Sequence, residues 1–123
     1  MAENNQGSAT DAGVIYVNQA EGLQRVMNNM KLYVKLLKKF KTDMNLNELI
    51  TMVRVEDYEN AQIQAHTIKG TAANLSLIEL FKQTRALEEQ IQNKAIEDEA
   101  LETLQACYHE TIRSIDTFIA HHG

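Results

Sequence analysis

Apolar residues recur along most of this chain at alternating intervals of three and four. Met30, Tyr33, Leu37, Phe40 and Met44 form one series, and Tyr58, Ala61, Ala65, Ile68, Ala72 and Leu75 a second. Leu77, Leu80, Thr84, Leu87 and Ile91 form a third, and Leu101, Leu104, Tyr108, Ile112, Ile115 and Ile119 a fourth. This spacing puts one apolar stripe on each helix, and such stripes bury each other at shallow crossing angles. Strict alternation, the mark of a half-buried strand, is absent. Asn74 and Ser76 mark a turn between the second and third segments, and Asn93-Lys94 a turn between the third and fourth. Short connectors make successive helices antiparallel, so the pattern predicts an all-α fold, an antiparallel four-helix bundle. The apolar stretch VIYV (14–17), followed by Asn18 as an N-cap, predicts a short extra N-terminal helix through about Met27. Asn45 or Asn47 can cap a segment starting near Leu46. That segment either runs straight into the second helix or bends near Glu56-Asp57.

The chain's 123 residues suit one domain. Residues 1–13, MAENNQGSATDAG, read as a flexible leader, and 14–121 as a single helical bundle. No apolar run approaches the ~20 residues a membrane-spanning helix needs, and the leader lacks the hydrophobic stretch of a secretory signal. Cys107 is the one cysteine, which rules out an intrachain disulfide and suits a reducing cytoplasm. It reads as a buried or half-buried thiol. The net charge of -5 argues against nucleic acid as a partner. The one basic cluster, Lys31, Lys35, Lys38, Lys39 and Lys41, reads as a solvated helix face. A monomer is expected. Met27, Met30, Met44 and Met52 read as core gap-fillers. Tyr33 and Tyr108 read as core residues with their hydroxyls at its edge, and His109, His121 and His122 as solvated.

One stretch breaks the helical logic. AHTIKGTAANL (65–75) places Gly70 inside the second helix, at about 1 kcal/mol cost relative to alanine. At 100° per residue, His66 lies roughly 100° or more from the middle of the buried stripe and projects outward. Helical side chains lean toward the N-terminus, so a side chain at position 70 would lean over the imidazole. Ala73, on the same face, is also small. An exposed, accessible imidazole can act as a nucleophile. Lys69 can balance negative charge arriving there, which points to a phosphoryl group. Neither GxxxxGK[ST] nor GxGxxG occurs, so nothing in the chain would take that group from ATP. No metal-binding cluster is evident, and no cofactor is expected.

AHTIKGTAANL resembles the signature of histidine-containing phosphotransfer (HPt) domains of two-component phosphorelays. The upstream Leu32-Tyr33, Leu36-Leu37 and Phe40, and Leu87-Glu88 downstream, are similar as well, so the resemblance spans about residues 14–120. It implies that His66 is phosphorylated on Nε2, that Lys69 balances the phosphoryl charge and that Gly70 keeps access open. The implied partners are a response-regulator receiver domain, which supplies an aspartate and Mg²⁺, and an upstream hybrid histidine kinase. Gln62 and Ala73 are expected on the receiver docking face, with the apolar residues of 14–27 packed nearby. The protein would then be a phosphocarrier rather than an enzyme. Ser76 and Ala73 stand where the family often has glycine. Polar residues of the third helix are expected beside the histidine, with Lys82, Arg85 and Glu88 as candidates. A sensor-kinase dimerisation domain fits less well, because Thr67 rather than an acid follows the histidine and the chain has no proline. The alternative is a helical adaptor that binds receivers without phosphotransfer.

Overall fold

A computed structural model describes residues 14–122; the expected leader, residues 1–13, lies outside them. Six helices follow one another: α1 (Gln19–Arg25), α2 (Met30–Asp43), α3 (Leu46–Arg54), α4 (Tyr58–Asn74), α5 (Ile78–Gln92) and α6 (Asp98–His122). The four periodic segments are α2, α4, α5 and α6, so the fold is the all-α bundle with a short N-terminal helix that the pattern predicts. Four starts are closed by a side-chain oxygen on a free backbone N–H: Asn18 to Glu21, Asn29 to Leu32, Asn45 to Glu48 and Asp57 to Asn60. Of the two candidates Asn45 and Asn47, Asn45 is the cap and Asn47 lies in the first turn of α3.

The chain does not run straight from α3 into α4. Glu56 adopts φ 62, a left-handed conformation that ends α3, and Asp57 then starts α4. α1 stops at Arg25, before the expected Met27. Met27 and Asn28 are both left-handed (φ 56 and 62), and they swing the chain into α2. Met27 is therefore 90% exposed and fills no gap in the core; Met30, Met44 and Met52 pack against it.

α4 and α5 form the tightest pair, α5 packs on α6, and α2 and α3 complete the bundle against α6 and α4 respectively. Ala61, Ala65 and Ala72 on the buried face of α4 let its backbone approach its neighbours. α2 stands off from α4, which leaves a groove floored by Leu36, Phe40 and Met44 and edged by Gln64, Thr67 and Thr71 of α4. Tyr33 lies deeper than expected. Its ring is wholly buried and its hydroxyl donates to the Leu75 carbonyl at 2.7 Å. Burial drives its pKa up, and the nearby Glu21 charge adds to that. Tyr108 is half-buried and its hydroxyl reaches the Met44 carbonyl at 3.4 Å. Cys107 is buried, which raises its thiol to about 12 and makes it a poor nucleophile at neutral pH.

The α4–α5 turn is tied to the N-terminal helix. Ser76, at φ 58, is buried, and its carbonyl accepts from the Asn18 N–H at 2.9 Å. Its hydroxyl donates to Glu21 Oε1 at 2.8 Å and accepts from Arg25 Nε at 3.3 Å. Glycine adopts this backbone without strain, but serine adds two side-chain bonds that hold α1 in place.

Candidate functional site

α4 presents one face to the core and the opposite face to solvent. Ala61, Ala65, Ile68 and Ala72 are buried, and His66 points outward with 72% of its side chain exposed. Gln62, Lys69, Gly70 and Ala73 lie within about 60° of His66 around the helix. Gln62 and Ala73 are half-buried and Gly70 is exposed. The candidate residues thus share one outward strip of a single helix.

The neighbouring helix supplies the group that organises this strip. Glu88 of α5 is only 15% exposed, and its two oxygens divide their work. Oε2 lies 3.2 Å from Nδ1 of His66, and Oε1 lies 2.6 Å from Nζ of Lys69. An ionised carboxylate only accepts hydrogen bonds, so a neutral His66 that makes this contact carries its proton on Nδ1. The lone pair is then on Nε2, on the far side of the ring. Partial burial pushes the Glu88 carboxyl upward. The hydrogen bond and charge of Lys69, followed by those of His66, outweigh that effect and hold it below the usual range.

Lys69 is three-quarters buried, and its ammonium rests on Glu88 rather than standing free over the imidazole. Sequence reasoning placed a cation beside the histidine; the structure adds that a carboxylate already holds it. Gly70 answers a different question. A Cβ built there meets nothing within 4 Å, so no packing contact inside the chain requires glycine. The helix carries its cost of about 1 kcal/mol with no return from its own core.

Of the three third-helix candidates, Glu88 is the neighbour, while Lys82 and Arg85 are exposed. The signal for this lay in the hairpin. His66 is ten residues before the Ser76 turn, so its partner lies about as far beyond it, and Glu88 adjoins the buried stripe residue Leu87. Ile63 was missed altogether. It is 62% exposed, one turn before His66 and on the side of the groove, and an alternation rule cannot flag a surface isoleucine. Of the expected apolar residues of 14–27, those of 14–17 sit by the α4–α5 turn, held through Asn18 and Ser76, while Val26 lines the groove beside the His66 strip. Among the described residues, no group of three or more His, Cys, Asp or Glu is placed to hold a metal.

A family model described as the Hpt domain matches residues 35–114. The chain belongs to the Hpt domain family. No curated protein and no solved structure matches it. The Hpt match takes in α4 and α5 whole, and with them His66, Lys69, Gly70 and Glu88. Hpt domains carry phosphoryl groups in phosphorelays and interact there with receiver domains and kinases. Among the described residues, no helix is long and apolar enough to cross a membrane.

Proposed function

We propose that this Hpt domain is a phosphorelay intermediate in which His66 takes a phosphoryl group from the aspartate of a receiver domain and passes it to another. The observation that carries this reading is the pairing of Nδ1 with Glu88 while the rest of the ring faces solvent. In the transfer, the P–O bond of the aspartyl phosphate breaks and a P–N bond forms at Nε2 of His66. The receiver's carboxylate leaves with the bonding pair. A neutral imidazole that bonds to phosphorus becomes cationic, and the Glu88 carboxylate on Nδ1–H stabilises that charge as it develops. Lys69, held beside the ring by Glu88, can turn one N–H toward the incoming phosphoryl oxygens without leaving its partner. Reversal uses the same contacts, so the site supports traffic both ways.

The receiver supplies Mg²⁺ and the acidic pocket, and most of the rate comes from positioning and charge neutralisation at that pocket. On the Hpt side, docking needs open space and an apolar footing. Gly70 gives the first. Ile63 and the groove floored by Leu36, Phe40 and Met44, immediately beside the His66 strip, give the second. Gln62 and Ala73 extend the contact along α4. The chain then acts as a monomeric cytoplasmic carrier with no cofactor of its own, loaded ultimately by a hybrid histidine kinase.

The test is incubation with a phosphorylated receiver domain. Label that is acid-labile and alkali-stable, and absent from His66→Gln, supports transfer. A protein that binds the receiver but never takes up label is an adaptor.

A further inference from the structure

α2 carries Lys31, Lys35, Lys38, Lys39 and Lys41, five of the chain's twelve basic residues. The structure divides them. Lys39 pairs with Asp43 at 3.1 Å, and Lys41 pairs with Asp116 of α6. Lys31, Lys35 and Lys38 have no carboxylate in reach among the described residues. At intervals of four and three they share one face of the helix and span about 10 Å of its length. This face is not a plain convex surface. The three lysines, with Val34, line a shallow depression whose far wall is His122 in the last turn of α6.

The depression lies 100° to 160° around α2 from Leu36, which floors the groove beside His66. A partner seated on the lysines therefore leaves the histidine strip free. Its chemistry follows from charge. The chain as a whole is at -5, with 17 acidic residues against 12 basic ones. A long polyanion or a charged bilayer extends past a 10 Å patch and is opposed by the chain's net negative charge. A short row of carboxylates meets only the lysines. Carboxylates at i, i+4 and i+7 of a helix repeat with the same rise as the three ammonium groups and can pair with them side by side.

We infer that the Lys31–Lys35–Lys38 face is a second docking site, which takes an acidic helix face of a partner protein while His66 remains open to a receiver. It is a tether, separate from the transfer chemistry.

The probe is an alanine-rich helical peptide with glutamates at i, i+4 and i+7, titrated into the ¹⁵N-labelled full chain. The site is supported by amide shifts confined to residues 30–39 and the last turn of α6. Binding should weaken at least tenfold in the triple variant K31E/K35E/K38E and also as salt rises. The milder triple change to glutamine should weaken it less, and both variants should keep the parent melting temperature. Receiver-dependent labelling of His66, measured without peptide, should be unchanged in both. Shifts spread equally over Lys82, Arg85 and Lys94, or undiminished binding by the charge-reversed variant, would overturn the site. Tighter binding of a DNA duplex or of phosphatidylserine vesicles at equal charge concentration would overturn the acidic-protein assignment.

Discussion

An imidazole has two nitrogens, and the one that reacts is decided by what holds the other. Here Glu88 holds Nδ1 of His66 at 3.2 Å, which leaves Nε2 as the nitrogen that reacts in the proposed transfer. Glu88→Gln keeps the shape, removes the charge and frees Lys69. Loss of the carboxylate that orients a metal-ligating histidine costs roughly 10–100-fold, and receiver-to-His66 transfer in a rapid-quench assay should slow by a similar factor. The same variant carries a stability signature. The folded pKa of Glu88 is lowered, so its contribution is present above the ordinary carboxylate range and is lost as pH falls through the folded value. The parent's stability in urea denaturation should therefore fall below about pH 4, and Glu88→Gln should lose less over that interval. Gly70 makes the opposite trade. Gly70→Gln removes a helix-breaking residue and adds a side chain that leans back toward the imidazole. Stability should rise by roughly 0.5–1 kcal/mol while transfer falls steeply. Equal transfer rates in parent and variant would mean that access at position 70 plays no part.

Elements meet at a few crowded points, and these carry the fold. Gly22 of α1 lies against Tyr33 of α2, where a Cβ would come within 2.3 Å of the phenolic oxygen. That oxygen is buried and bonded to Leu75, so the ring has no free direction in which to move. Gly22→Ala should cost about 1–3 kcal/mol, in the range of other overpacking changes. Chemical denaturation measures it, with α1 detaching before the bundle melts. Thr84 presents the reverse case. It is fully buried in α5, and its hydroxyl finds no hydrogen-bond partner among the described residues. Thr84→Val keeps the shape and removes the unpaired group, so a gain of about 1 kcal/mol is expected, read as a higher denaturation midpoint. Helix content was legible in the sequence because the stripes of α2, α4, α5 and α6 are long and regular. The breaks were less so. Glu56 and Met27 take left-handed backbone conformations that their residue types do not announce, unlike Asn28, whose type favours one, so the end of α3 and the exposure of Met27 appear only in three dimensions. Glu88 was half legible, because the register between two antiparallel helices depends on how the Ser76 turn closes.

At the scale of the whole molecule, the chain separates its surfaces. One side of α4 joins the core. The other holds His66, with the charged pair of Lys69 and Glu88 on its α5 flank and the apolar Ile63 and the groove on its α2 flank. The histidine strip could be read from α4 alone. The groove could not, because it exists only where α2 stands away from α4 while packing on α6. The central claim concerns one atom, and ³¹P–¹⁵N correlation NMR of the phosphorylated, ¹⁵N-histidine-labelled protein tests it most directly. The expected spectrum shows phosphorus bonded to Nε2 of His66, with Nδ1 protonated and shifted by its contact to Glu88. Phosphorus on Nδ1 of His66, or on a histidine other than His66, would contradict the account.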